Sequence, residues 1–343
     1  MTSRPASLRL LATLMLVSSF ALLQGCMNFI YKQVGNQTLT FSKNVMVPYL
    51  LTFEDTQMAC ASGEALTPLL MTFEAVGSDP NQQAIMVYTA AGMCAESRAL
   101  EEELRYLRAA QQQNITEAQD ARIAQKRWHR VAAMRQYEAY KRFVQFYGEP
   151  PAGKCTKKLD SEFDQLMYIV GLVSGVQSLL NDTQADQTVG VPRDIAAKVE
   201  RMAACIKDSN KWWGLPQGIR ASLWNILPML APQGSNPMKT LATVAKEGER
   251  RGVRIGYAMW ALSAYGNGDK QLTKDIIRSF AEAGRTAKID PDFRMMDAMA
   301  EQMIHAMSDR LWTEATGTRT PIGGLGTFWD DKPKSAGNID DLL

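Results

Sequence analysis

The chain has 343 residues, with 38 lysines and arginines against 36 acidic residues, so its formal charge is only +2. So even a balance argues against a nucleic-acid partner, which would leave a basic footprint. The length suits one large domain or two smaller ones.

The N-terminus carries the strongest signal. Arg4 and Arg9 precede an apolar run from Leu10 to Leu23, and no acidic residue occurs before Cys26. About 14 apolar-rich residues are too few to cross a hydrocarbon core that needs about 20. A basic flank, a short apolar core and a small residue before the cut describe a secretory leader. Leu23-Gln24-Gly25-Cys26 then reads as a lipobox, because the lipoprotein peptidase needs a small residue before an acylated cysteine. Residues 1–25 are expected to be removed, leaving Cys26 as the lipidated first residue of the mature chain. Met27 stands where an aspartate would signal inner-membrane retention, so outer-membrane sorting, facing the periplasm, is expected. Loss of Arg4 and Arg9 leaves basic and acidic residues equal at 36 each.

With Cys26 committed to lipid, Cys60, Cys94, Cys155 and Cys205 remain. An even number in an oxidising compartment permits two disulfides in three connectivities. The local pairing, Cys60 with Cys94 and Cys155 with Cys205, is preferred because each pair would join neighbouring helices; four buried free thiols are the alternative. Zinc is not expected, since no two cysteines lie close in sequence and only His129 and His305 are available. No cofactor is expected either.

Residues 26–41 are polar and mixed, and read as a lipidated tether. From 42 to 314 the pattern is helical almost throughout. Val45, Tyr49, Leu50, Phe53 and Met58 recur at helical spacing and predict a helix that ends at Ser62-Gly63. A short helix is predicted over Glu64–Val76, with Pro68 near its first turn, then long ones over Pro80–Gln112 and Ala121–Tyr147. Gly148-Glu149-Pro150-Pro151-Ala152-Gly153 is the strongest breaker and marks a sub-boundary near 148–156. Further helices are predicted over Phe163–Leu180, Pro192–Asp208, Ile219–Leu230, Met238–Arg251, Arg254–Tyr265, Gln271–Ala287 and Pro291–Thr313. The tail, 315–343, reads as extended or disordered, with Phe328-Trp329 as a pair that could dock on the body. No stretch keeps a strand-like period of two, so the class expected is all-α.

Ser78-Asp79-Pro80-Asn81 and Ile289-Asp290-Pro291-Asp292 share a grammar: one helix ends, Asp-Pro turns the chain, and a proline starts the next. This is the join between tetratricopeptide-type repeats, antiparallel helix pairs that bury their apolar stripes only by stacking. The layout resembles the T-component (TatT) family of lipoproteins associated with TRAP transporters. The likeness is carried by Gly25-Cys26, Pro48-Tyr49-Leu50-Leu51, Ala65–Phe73, Asp79-Pro80, Arg127–Phe143, Asn236-Pro237, Ala245–Tyr257 and Trp260-Ala261. The resemblance implies a stacked, TPR-like solenoid or bundle that oligomerises and partners a periplasmic substrate-binding protein. It also implies a role in the uptake of a small organic acid. The alternative is a scaffold for cell-envelope protein assembly with no small-molecule ligand.

Catalysis has no motif behind it: Gly-x-Ser-x-Gly, His-Glu-x-x-His and phosphate-cradling glycine loops are all absent. A non-enzymatic binding component is expected, tied to the membrane through its N-terminal lipid, with no ligand-binding residue assigned. His129, within Lys126–Arg130, reads as part of a solvated helix face. Met296, Met299, Met303 and Met307 around His305 read as core filler, or as an adaptable apolar groove. Trp212, Trp213 and Trp224 read as a packed turn, or as an aromatic ligand wall.

Overall fold

A computed structural model describes residues 27–332, and the lipobox Cys26 lies outside them. Among the described residues there are helices and loops and no strand, so the all-α class holds. The first helix, α1 (27–41), runs through a π-helical turn at Ser42–Met46 directly into α2 (Val47–Leu51). After a turn, α3 (Thr56–Met71) begins where Asp55 accepts a hydrogen bond from the Met58 N–H at 2.8 Å. The longest helices, α4 (Asn81–Gln111) and α5 (Ile115–Tyr147), have 31 and 33 residues and form an antiparallel hairpin. Asn114 caps α5 by accepting from the Glu117 N–H. The Ser161/Asp164 capping box starts α6 (Glu162–Gln184), in which each side chain accepts from the other residue's backbone N–H.

The remaining helices are α7 (Ile195–Ala203), α8 (Leu215–Ile226), α9 (Pro237–Arg250), α10 (Ile255–Gly266), α11 (Lys270–Thr286) and α12 (Arg294–Thr316). Consecutive packing runs from α8 through α12, and α12 then returns to lie against α2, α3 and α4. Helix α4 is the hub, with α3, α5, α6 and α12 around it. Helix α6 is long and apolar enough to cross a membrane by length and composition, but it is packed against α4, α5, α7 and α8. One apolar core runs from Val47 to Phe328. It includes Phe143, Tyr147 and Tyr168 in edge-on and tilted contact, with ring centroids 5.1 to 5.4 Å apart. Between α10 and α12 sits a buried ion pair: the Arg254 Nη2–H donates to Asp297 Oδ2 at 2.5 Å, and the Arg254 backbone N–H donates to Oδ1 at 2.8 Å.

Two sequence expectations need correction. The helix break predicted at Ser62-Gly63 lies instead at Phe53–Asp55, and α3 continues through Gly63 and Pro68. Gly63 serves close packing here: a Cβ on it would come within 2.6 Å of the Ala91 amide nitrogen on α4. The segment read as a tether, 27–41, is helical, and its inner face is docked. The Ser78 hydroxyl donates to the Lys32 carbonyl and the Gln83 amide donates to that of Leu39, both at 3.1 Å. The first part of the tail folds back onto α11 and α12. Phe328 is buried, Trp329 meets Trp312 edge-on, and Asp330 and Asp331 pair with Lys274 and Arg278 at 2.6 Å each.

Cys60 is bonded to Cys94 and Cys155 to Cys205, the local connectivity. The first bond ties α3 to α4, and the second ties the α5–α6 connection to the end of α7. The bridged residues are separated by 34 and 50 positions. In the chain-entropy account, loops of that length stabilise the fold by about 4 kcal/mol each. Reduction under native conditions is therefore expected to lower the thermal midpoint by on the order of 10 °C. Calorimetry with and without a thiol reductant checks this.

Candidate functional site

The feature that stands out in the folded chain is an apolar cavity of about 260 Å³ walled by helices from both ends of the sequence. Helices α1 and α2, with the π turn between them, contribute Leu39, Ser42, Met46, Val47 and Leu50 to one wall. The facing wall comes from α3, through Ala59, Ser62, Leu66 and Leu70, and from Phe73 in the 3-10 turn that follows it. Met86, Val87, Ala90 and Met93 of α4, with Ile169, Val170 and Val173 of α6, form the floor. Met295, Met296 and Met299 close it from α12. Leu69 and Thr38 line the cavity and are exposed, so the mouth lies between α1 and α3.

The local sequence explains this geometry. At Gly63 and Ala91, α3 and α4 touch backbone to backbone, and one turn earlier Cys60–Cys94 bonds them with Cα atoms 5.2 Å apart. Beyond that crossing α3 carries Leu66, Leu69 and Leu70, and the 3-10 turn after it adds Phe73, all lining the cavity that lies against α4. The space between them is left for a third element. Helix α1 supplies it, held by Gln83 and by Lys43, whose ammonium donates to Asp164 Oδ1 at 2.9 Å. Burial alone would raise the Asp164 pKa, but hydrogen bonds from Ser161, Lys43 and Gln82 outweigh it and hold the carboxyl below its usual range.

Among the described residues, no charged side chain lines the cavity. Most of its polar groups are already engaged: Gln83 with the Leu39 carbonyl, and Thr89 with the Ile85 carbonyl and the Ser174 hydroxyl, both at 2.6 Å. Gln177 Oε1 is buried with no hydrogen-bond partner among the described residues. The site therefore offers apolar contact, the Ser42 and Ser62 hydroxyls and one buried unpartnered acceptor. Its volume exceeds the roughly 150 Å³ cavity that admits a benzene ring. If fully enclosed and empty, a void of that size would forfeit on the order of 6 kcal/mol of packing energy. Three of its walls carry methionines, whose unbranched thioethers repack around varied shapes.

The candidates named from sequence are scattered. Met296 and Met299 reach the cavity, whereas Met303 packs on the main core and Met307 is buried in it. The four cysteines are structural, and only the Cys60–Cys94 bond lies beside the site. Trp212, Trp213 and Trp224 are buried in packing. The Trp212 indole N–H donates to Gln165 and that of Trp224 donates to Glu200. His305 is partly exposed, with Glu301 as its nearest acidic neighbour at 3.9 Å. Among the described residues no cluster of His, Cys, Asp and Glu could hold a metal ion. Sequence reasoning missed the cavity itself, because its walls lie far apart in the chain.

His129 is a further correction, since it is buried against α6. Asn181 Nδ2 donates to Glu96, Gln136 and the Gln177 carbonyl, which leaves Asn181 Oδ1 to accept from His129 Nδ1–H at 2.7 Å. Burial lowers the His129 pKa from its ordinary 6.5, outweighing the hydrogen bond to Asn181, which raises it. The unfolded chain thus takes up a proton that the folded chain refuses, and stability falls as pH drops below about 6.5. Carboxylates held low, such as Asp164 and Glu64, add their own loss only below about 4.5. Between pH 7 and 5 the unfolding midpoint should fall, and His129→Gln should flatten that slope; denaturant titrations at several pH values measure it.

Against this geometry, no family model, curated protein or solved structure matches the chain.

Proposed function

We propose that this protein is a non-catalytic, lipid-anchored component of the cell envelope that binds an apolar ligand between its first and last helices. The observation that carries the reading is the charge-free cavity of about 260 Å³ opening between α1 and α3. A concave apolar site with few polar groups is the usual form of a small-molecule site. Anchoring through Cys26 and a periplasm-facing position come from the lipobox. The two disulfides agree with an oxidising compartment.

The lining refines the solute implied by the resemblance to TRAP-associated lipoproteins. A carboxylate inside this cavity would have no cation to meet and would bear the cost of lost hydration. An organic acid therefore fits only with its hydrocarbon part inside and its headgroup at the mouth. In this reading the protein holds the apolar portion of a solute and presents it to a periplasmic substrate-binding partner. No feature of the described residues favours the scaffold reading over this one.

Ser62→Trp and Val87→Trp, each filling the cavity from a different wall, should weaken binding of a fluorescent long-chain fatty acid at least tenfold. In free energy that is about 1.4 kcal/mol. The wild-type protein should show a thermal upshift with the same probe. Fluorescence titration decides it: equal affinity in wild type and both variants would refute the site, and no binding by the wild type would refute the function.

A further inference from the structure

Helix α1 and its continuation into α2 present an apolar face that the body of the protein does not cover. Met27, Ile30, Val34, Phe41, Val45 and Tyr49 are each between 44% and 64% exposed. Their spacing, with the π turn absorbing one step of the drift, keeps them on one side of a continuous helix. Gly35 and Leu39, on an adjoining side, are buried against the body, while Phe29 is exposed away from the stripe. From residue 27 to residue 53 there is no acidic side chain, whereas Lys32 and Lys43 are basic. Large apolar faces of this kind mark a contact surface.

The position of the stripe identifies what covers it. Its first residue follows Cys26 directly, so an anchored Cys26 leaves no slack between the lipid and the helix. Standing upright on the bilayer, the helix would hold Tyr49 about 33 Å from the anchor. In that pose most of the apolar stripe would be in water. Lying flat, every stripe residue reaches the acyl boundary, the two lysines meet anionic headgroups, and Tyr31 and Tyr49 sit at the depth favoured by aromatic rings. Thr38 and Ser42 form the edge between this face and the cavity, opposite Leu69.

We infer that α1 and α2 lie in the plane of the membrane interface and open the cavity mouth onto the bilayer, so that its ligand is an acyl chain drawn from the same membrane. This rests on the apolar-ligand reading and names the source of that ligand. The test uses the full processed protein in vesicles of phosphatidylethanolamine and phosphatidylglycerol. Nitroxides are placed singly at Val34, Val45, Leu69 and, as a water-exposed control on α5, Ile123. At an immersion of about 5–10 Å, the ratio of oxygen to nickel-chelate collision should be roughly threefold or more above the Ile123 value at the three test sites. A ratio equal to that of Ile123 at any of the three overturns the inference. Dipolar broadening at Val34 without oxygen gain also does, since a second copy would then cover the stripe. Ile30→Glu with Val34→Glu should abolish the immersion, while Ser62→Trp should leave it intact. Loss of fatty-acid binding with normal immersion is thus a failure of the cavity reading alone, and intact mass reports lipidation of Cys26 separately.

Discussion

The contact on which the site depends is the crossing of α3 over α4, where Gly63 allows the two backbones to touch and Cys60–Cys94 locks them one turn away. Two helices held that tightly at one point must diverge elsewhere unless small residues continue along both. Along α3 the residues turn large, with Leu66, Leu69 and Leu70 followed by Phe73 in the next turn, while Met86, Val87 and Ala90 line the same cavity from α4. The resulting wedge is filled partly by α1 and α2 and partly by methionines of α12, and the remainder is the cavity. A side chain at Gly63 would strain the crossing, because it would meet the Ala91 nitrogen, the Val87 carbonyl oxygen and the Ala90 Cβ, none of which can swing aside.

The closing elements come from opposite ends of the chain, so the site exists only in the fully folded protein. The Lys43–Asp164 pair and the Gln83–Leu39 hydrogen bond hold α1 in place. Neither is deeply buried charge, and a partly exposed ion pair adds little by itself. The arm is therefore among the less firmly held parts of the fold, as suits a wall through which a ligand must pass.

Much of the fold was readable from the sequence, because period, caps and breakers are local. Most long helices, α4 through α12, start and stop within a few residues of where Asp-Pro, Asn-Pro and glycine clusters put them. The errors share one cause. Gly63 looks like a helix stop in sequence and is a packing residue in space. His129 sits among four basic and aromatic neighbours but turns inward, since its partner Asn181 lies 52 positions away. Residues 27–41 looked like a tether because an outward apolar stripe on a docked helix has the composition of a mixed linker. The cavity left only one trace, the methionine spacing of α12, and that pattern serves a core equally well.

Among the described residues the site has no charged side chain and few polar groups, with one buried unpartnered acceptor at Gln177, and its selectivity must rest on shape. Methionine walls trade sharp selectivity for tolerance, which fits a ligand defined by its hydrocarbon length more than by functional groups. The most direct check is a crystal structure of the protein grown with a fatty acid brominated at its methyl end. An anomalous peak between Met86 and Met299, deep to Leu69, is the predicted result. A peak confined to the outer surface, or none with the cavity empty, would contradict the account.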